Sequence, residues 1–303
     1  MVSRRYRSFL QEAICARGKN HGLLPARCVV LGLVFWAAQP VQGAELRFHT
    51  LQAWRTYIRL TERRVAAELQ DGQKFLAIDF LSDSAPQTIR SRLRNGEVDI
   101  RRMKTAAQDG KEISVSDGII HHWVGGIWVP GVSLQTLLDW LQDYDQHQQY
   151  FEEIEESRLL HRAGPTFQVF YRLRRKKIVM VLYNTLHGII YRRHGPRRAS
   201  SHSFTTRIAE LQDAGTPEEK EKPAGNDGGY LWRLNSYWRF QEADGGVFVE
   251  CESVSLSRSI PFGLSWFIKG YVESIPRESL ENTLTSLRDG VAASRASAPP
   301  ANP

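Results

Sequence analysis

Arg233-Leu-Asn-Ser-Tyr-Trp-Arg-Phe-Gln-Glu-Ala-Asp-Gly-Gly-Val-Phe-Val-Glu-Cys-Glu252 reads as two β-strands joined by a tight turn. Asp244 and Gly245 are the residue types that a two-residue hairpin turn requires. A turn of that length sets the register, so that Arg239 lies across from Glu250 and Tyr237 across from Glu252, on one face with Arg233 and Asn235. The other face carries Trp232, Leu234, Trp238 and Phe240 against Val247, Val249 and Cys251. One face is therefore a ladder of charge and the other an aromatic wall. The ladder suits solvated or partly buried pairs worth about 0.2–1 kcal/mol each. The wall suits the inside, as solid core or as the lining of a dry cavity beneath a helix.

Upstream of the hairpin, four more strand-like runs lie at about 156–162, 166–174, 177–192 and 200–212, separated by turn residues such as Gly164-Pro165 and Gly195-Pro196. Before them come a long strand from Asp117 to Val129, a helix from about Ser133 to Tyr144 with Ser133 as N-cap, and a second short helix near 145–154. The paired Gly125 and Gly126 call for a bulge or a close backbone approach. After the hairpin, Leu280, Leu284 and Leu287 at one-turn spacing mark a helix opened by Pro276, and residues 293–303 read as a disordered tail. Residues 44–113 form a smaller α/β extension. It holds an amphipathic helix over about 50–70, strand-like runs at Phe75–Phe80 and Val98–Met103, and a helix near 86–94.

The order strand, two helices, six antiparallel strands and a long C-terminal helix over 114–292 predicts an α+β fold. It resembles the helix-grip fold of the START-like (SRPBCC) superfamily, in which a seven-stranded antiparallel sheet wraps the last helix. The runs Asp117-Gly-Ile-Ile-His-His-Trp123, Gly229-Tyr-Leu-Trp-Arg-Leu-Asn-Ser-Tyr-Trp-Arg239 and Ile275-Pro-Arg-Glu-Ser-Leu280 resemble those of a branch of exported bacterial proteins in that superfamily. The resemblance implies a cavity for a lipid-like or other apolar ligand. Trp232, Leu234, Trp238, Phe240, Val249 and Cys251 are the expected ligand-binding residues. Phe262, Leu264, Trp266 and Phe267, in the apolar connection 259–275, form a candidate lid or a segment that touches a membrane surface.

Binding is expected rather than catalysis, with a cyclase or hydrolase using the same cavity as the alternative. Glu250 and Glu252 share a face as a catalytic carboxylate pair would, but each has a cross-strand partner. Cys251 points away from both and has no evident base. His121 and His122 are adjacent on a strand and so point to opposite faces, which argues for structural histidines over a metal site. No cofactor is expected. The basic runs Arg172–Lys177 and Arg192–Arg198 read as solubilising, edge-protecting charge rather than a headgroup patch.

The N-terminus points to export. Six basic residues between Arg4 and Arg27 precede the apolar run Cys28–Ala38 and the small residues around Gly43 and Ala44, which is the order of a cleavable secretory signal over 1–43. Those residues also carry Glu12, so their loss takes the formal charge from +7 to about +2. Nucleic-acid binding, which needs concentrated positive charge on the folded domain, is not expected. Cys251 is then the sole cysteine, and an intramolecular disulfide is excluded.

Overall fold

A computed structural model describes the backbone of residues 44–81, 86–107, 109–176, 180–259 and 265–296, and the side chains of these apart from 44, 176 and 265–273. The hairpin forms as its turn residues dictate. Asp244 and Gly245 take φ of 58° and 76°, the left-handed values of a primed turn, and join β10 (Arg233–Ala243) to β11 (Gly246–Arg258). Arg239 stands opposite Glu250 and Tyr237 opposite Glu252.

The remaining strands of the main sheet are β2 (Asp99–Arg102), β3 (Gly118–Pro130), β4 (Ile154–Ala163), β5 (Thr166–Lys176), β6 (Met180–Arg193) and β7 (Arg198–Gln212). They pair antiparallel in the order β2-β3-β11-β10-β7-β6-β5-β4. Two short pairs flank this path: β8 (Lys220–Glu221) lies on β7, and β1 (Ala44–Glu45) pairs with β9 (Asn226–Asp227). The helices are α1 (Phe48–Leu69), α2 (Pro86–Arg94), α3 (Leu134–Gln142) and α4 (Ser265–Ala296). Ser133 caps α3 as expected, its Oγ accepting from the Thr136 N–H at 3.1 Å.

The sheet grips α4. Leu280, Leu284, Leu287 and Val291 are buried against Ile127, Val129, Phe240, Val247, Val249 and Cys251. A Cβ on Gly125 would stand 2.6 Å from Leu284 Cδ1, so glycine here is what lets helix and strand approach. Pairing between β3 and β11 runs unbroken through 125 and 126, which makes this a close approach and not a bulge.

Four expectations are corrected. First, Pro276 lies inside α4, not at its start, and α4 runs on to Ala296, into the stretch expected to be a tail. Proline removes one backbone donor, and the buried leucine stripe carries the helix through that loss. Second, Phe75–Phe80 is not a strand: Ala77–Phe80 is a short 3-10 helix. Its backbone donors go to side chains instead of a neighbouring strand. The Asp79 carboxylate accepts from Phe75 and Leu76, and the Glu250 carboxylate accepts from Ala77 and Ile78.

Third, the extension adds an eighth strand to the seven expected, because β2 pairs with β3 at the sheet's edge. Its helices also cover the face that had read as outward. Trp54, Tyr57, Ile58 and Val65 of α1 pack on Trp232, Tyr237, Val254 and Leu256. Phe75, Leu76, Ile89 and Leu93 pack on Phe248. The fourth correction follows: the charged ladder is core, with Arg239, Glu250 and Glu252 each 1% exposed. The sheet lies between two covered faces, α4 on one and the extension on the other.

Candidate ligand cavity

Between the inner face of the sheet and α4 the chain encloses a cavity of about 560 Å³, within the range of roughly 300–1,000 Å³ typical of small-molecule sites. Trp238 and Phe240 supply a flat wall, their rings 4° from parallel with centroids 6.2 Å apart. Tyr191, Ile189, Phe151, Leu141 and Leu280 continue that apolar lining. The rest of the wall is rich in hydroxyls and imidazoles: Ser201, Ser203, Ser236, Ser253, Ser255 and Ser257, with His121, His147 and His187.

The predicted binding residues divide. Leu234, Trp238, Phe240 and Cys251 line the cavity, and Val249 lies beside it in the core under α4. Trp232 does not reach it. The β10 ladder begins at Arg233, so strand alternation does not govern Trp232; its ring turns to the outer face, where Nε1–H donates to Asp227 Oδ1 at 3.1 Å. Of the candidate lid, Phe262 and Leu264 lie outside the described residues. Trp266 and Phe267 belong to the start of α4 and not to a connection.

Burial decides the charge state of the lining. His121, His147 and His187 are each held down at about 4 by desolvation, with the positive charge of Arg102 adding to the effect at His121. Near neutral pH all three are uncharged. Hydrogen bonds assign two tautomers. His147 Nε2–H donates to the Leu141 carbonyl at 3.0 Å while Nδ1 accepts from the Tyr171 hydroxyl at 3.0 Å. Thr185 gives its proton to the Tyr171 carbonyl, so its oxygen accepts from His187 Nε2–H at 3.0 Å. Burial pushes the Cys251 thiol up, which leaves it protonated and inert. Arg175, one of the charged groups of the lining, is paired with Glu153 at 2.8 Å and also bonded to Ser279.

The outer face holds a constellation that sequence reasoning missed. The Thr105 N–H donates to the Tyr57 hydroxyl, which donates to His122 Nδ1 at 2.8 Å, and His122 Nε2–H donates to Glu252 at 2.7 Å. Arg64 bonds both Glu252 and Glu68, and Arg239 bonds Glu68 and, at 3.0 Å, the Phe75 carbonyl. The Tyr–His–carboxylate order imitates a catalytic relay. The His122 and Glu252 side chains are each only 2% exposed and neither lines the cavity, so the chain ties α1 to the sheet instead of facing a substrate.

Among the described residues, no group of three or more His, Cys, Asp and Glu could hold a metal ion. Arg172 pairs with Glu155 and Glu219, and Arg174 with Glu155; Lys177 of the same basic run lies outside the described residues. The serines of the lining did carry a signal in sequence. Ser253, Ser255 and Ser257 share the parity of Val249 and Cys251, and Ser236 that of Trp238.

No family model matches the chain, and no curated protein matches it in sequence. Solved structures similar to it include members of the START/SRPBCC superfamily. The human StAR-related lipid transfer protein 5 is 11% identical, with 80% of this chain and 98% of that one covered at a TM-score of 0.46. A STAR-related lipid transfer protein from Xanthomonas axonopodis is 15% identical, with 59% and 96% covered at 0.40. An aromatase/cyclase from a Streptomyces is 9% identical, with 57% and 94% covered at 0.38.

Proposed function

We propose that this protein is an exported binding or carrier protein for an apolar, lipid-like small molecule held between the sheet and α4. The observation that carries the reading is the cavity itself: about 560 Å³, walled by Trp238, Phe240, Tyr191 and Leu280. Its charged lining groups Glu152, Glu153, Arg175, Arg258 and Glu278 are all partly or fully exposed, and so sit toward solvent. Binding a fluorescent sterol or fatty-acid analogue is expected to quench tryptophan emission saturably, and Trp238→Ala is expected to remove most of that quenching. Mass spectrometry of the native purified protein should show a copurified apolar compound. Apolar probes that give no saturable quenching would remove the carrier reading.

Export is the part of this reading that rests on the basic, apolar and small-residue order of residues 1–43. The mature chain is expected to start near Ala44 or Glu45, as N-terminal sequencing of protein from its native host would show. Recovery of intact Met1 in the cytosol would overturn it.

One observation favours the enzyme alternative: Ser257 Oγ lies 2.9 Å from His121 Nε2 in the cavity wall. A serine needs a base able to take its proton, and His121, held at about 4, is a weak one. No carboxylate hydrogen-bonds that imidazole among the described residues. Ester hydrolysis lost in Ser257→Ala would place the hydrolase ahead of the carrier.

A further inference from the structure

The register of the inner face sets serine beside serine. Ser236 of β10 stands directly opposite Ser203 of β7 on one side and Ser253 of β11 on the other, so three hydroxyls form a row across adjacent strands. Two residues further along β11, Ser255 stands opposite His121 of β3, and Ser257 follows, bonded to His121. All line the cavity. In the opposite direction along the same strands come Trp238 and Phe240, with Cys251 and Val249 across from them. At about 3.3 Å per residue, the wall changes from aromatic to hydroxyl within roughly 13 Å.

A strand face that only filled a core would carry apolar side chains here, because a buried hydroxyl without a partner costs free energy. Ser255 is 7% exposed and Ser253 half-buried, and among the described residues neither makes a hydrogen bond within the protein. The Ser236 hydroxyl meets the Cys251 thiol, a weak partner. All three face the cavity, and among the described residues the Ser253 and Ser255 hydroxyls have no partner. A plain acyl chain would leave them so, and a carboxylate would find Arg175 already held by Glu153 and the Arg258 guanidinium laid over the Tyr230 ring at the cavity's exposed rim.

We propose that the cavity selects an uncharged amphiphile. Its flat, ring-bearing apolar body lies against Trp238 and Phe240, and its two or more hydroxyl or carbonyl oxygens are bonded by Ser236, Ser253 and Ser255. This rests on the carrier reading and names the ligand class for it.

Calorimetric titration of the full mature chain with a matched pair, the hydrocarbon 5α-androstane and its 3,17-diol, tests it, with palmitate as a third probe. The diol is expected to bind at least about tenfold more tightly than the hydrocarbon. The triple variant Ser236→Ala, Ser253→Ala, Ser255→Ala is expected to bring that ratio close to one while retaining hydrocarbon binding. Should the triple variant fail to fold, Ser255→Ala alone is expected to lower the ratio several-fold. A parent that binds the hydrocarbon or palmitate as tightly as the diol, or a ratio untouched by the serine changes, overturns the proposal and leaves the carrier reading standing. Binding of none of the three probes overturns both.

Discussion

Arg239→Ala is expected to destabilise the protein by about 3–5 kcal/mol, the cost of breaking a buried charge pair from one side. Had the hairpin's charged face been exposed, the loss would be about 0.2–1 kcal/mol. Arg239 is instead 1% exposed and bonds Glu68 and the Phe75 carbonyl, with the carboxylates of Glu250 and Glu252 close enough to feel its charge. Without it, Arg64 is left facing Glu68 and Glu252, and Glu250 keeps only the Ala77 and Ile78 N–H groups. Urea unfolding of parent and variant measures the difference. A change below about 1 kcal/mol would mean that the extension does not seal this face.

Stability is also expected to fall as pH drops from 7 to 5. His121, His147 and His187 take up a proton at about 4 in the folded protein but near the ordinary 6.5 when unfolded. Between those values the unfolded chain binds more protons, so the stability these histidines contribute is whole above 6.5 and is lost toward 4. Each costs on the order of 1–2 kcal/mol over this interval. Glu250 acts in the opposite sense. Burial raises its carboxyl to about 7, against the opposing pull of Arg239 and of the Ala77 and Ile78 N–H groups, so the folded state holds its proton between 4.5 and 7. Three imidazoles outweigh one carboxyl. Urea denaturation at pH 7 and pH 5 should show a loss of about 2–4 kcal/mol, and His187→Gln should reduce it, the glutamine amide keeping the donor toward Thr185. Equal stability at the two pH values would refute this.

Much of this architecture could be read locally. Asp244-Gly245 dictated both turn and register, and alternation then assigned Leu234, Trp238, Phe240, Val249 and Cys251 to one face. The same parity carried Ser236, Ser253 and Ser255 to the cavity, a signal that attention to aromatic residues passed over. Alternation ends where pairing ends, which is why Trp232 escaped it. Helix limits were less legible at α4, where Pro276 imitates a start that packing of Leu280 and Leu284 overrides.

By itself, then, the sequence determined which residues share a face of the hairpin, because turn chemistry and the two-residue repeat of a strand act between near neighbours. That the aromatic face lies beneath a helix was what the family resemblance implied. Whether the charged face met water or another layer was decided only in the tertiary structure. That depends on where α1 and the Ala77–Phe80 turn dock, more than 150 positions away in the chain, and on carboxylates whose partners, Ala77 and Ile78 for Glu250 and His122 and Arg64 for Glu252, come from other elements. Charge in a sequence carries no mark of its own burial. Only the packing that removes water from Arg239 and Glu250 turns a surface ladder into a buried tie.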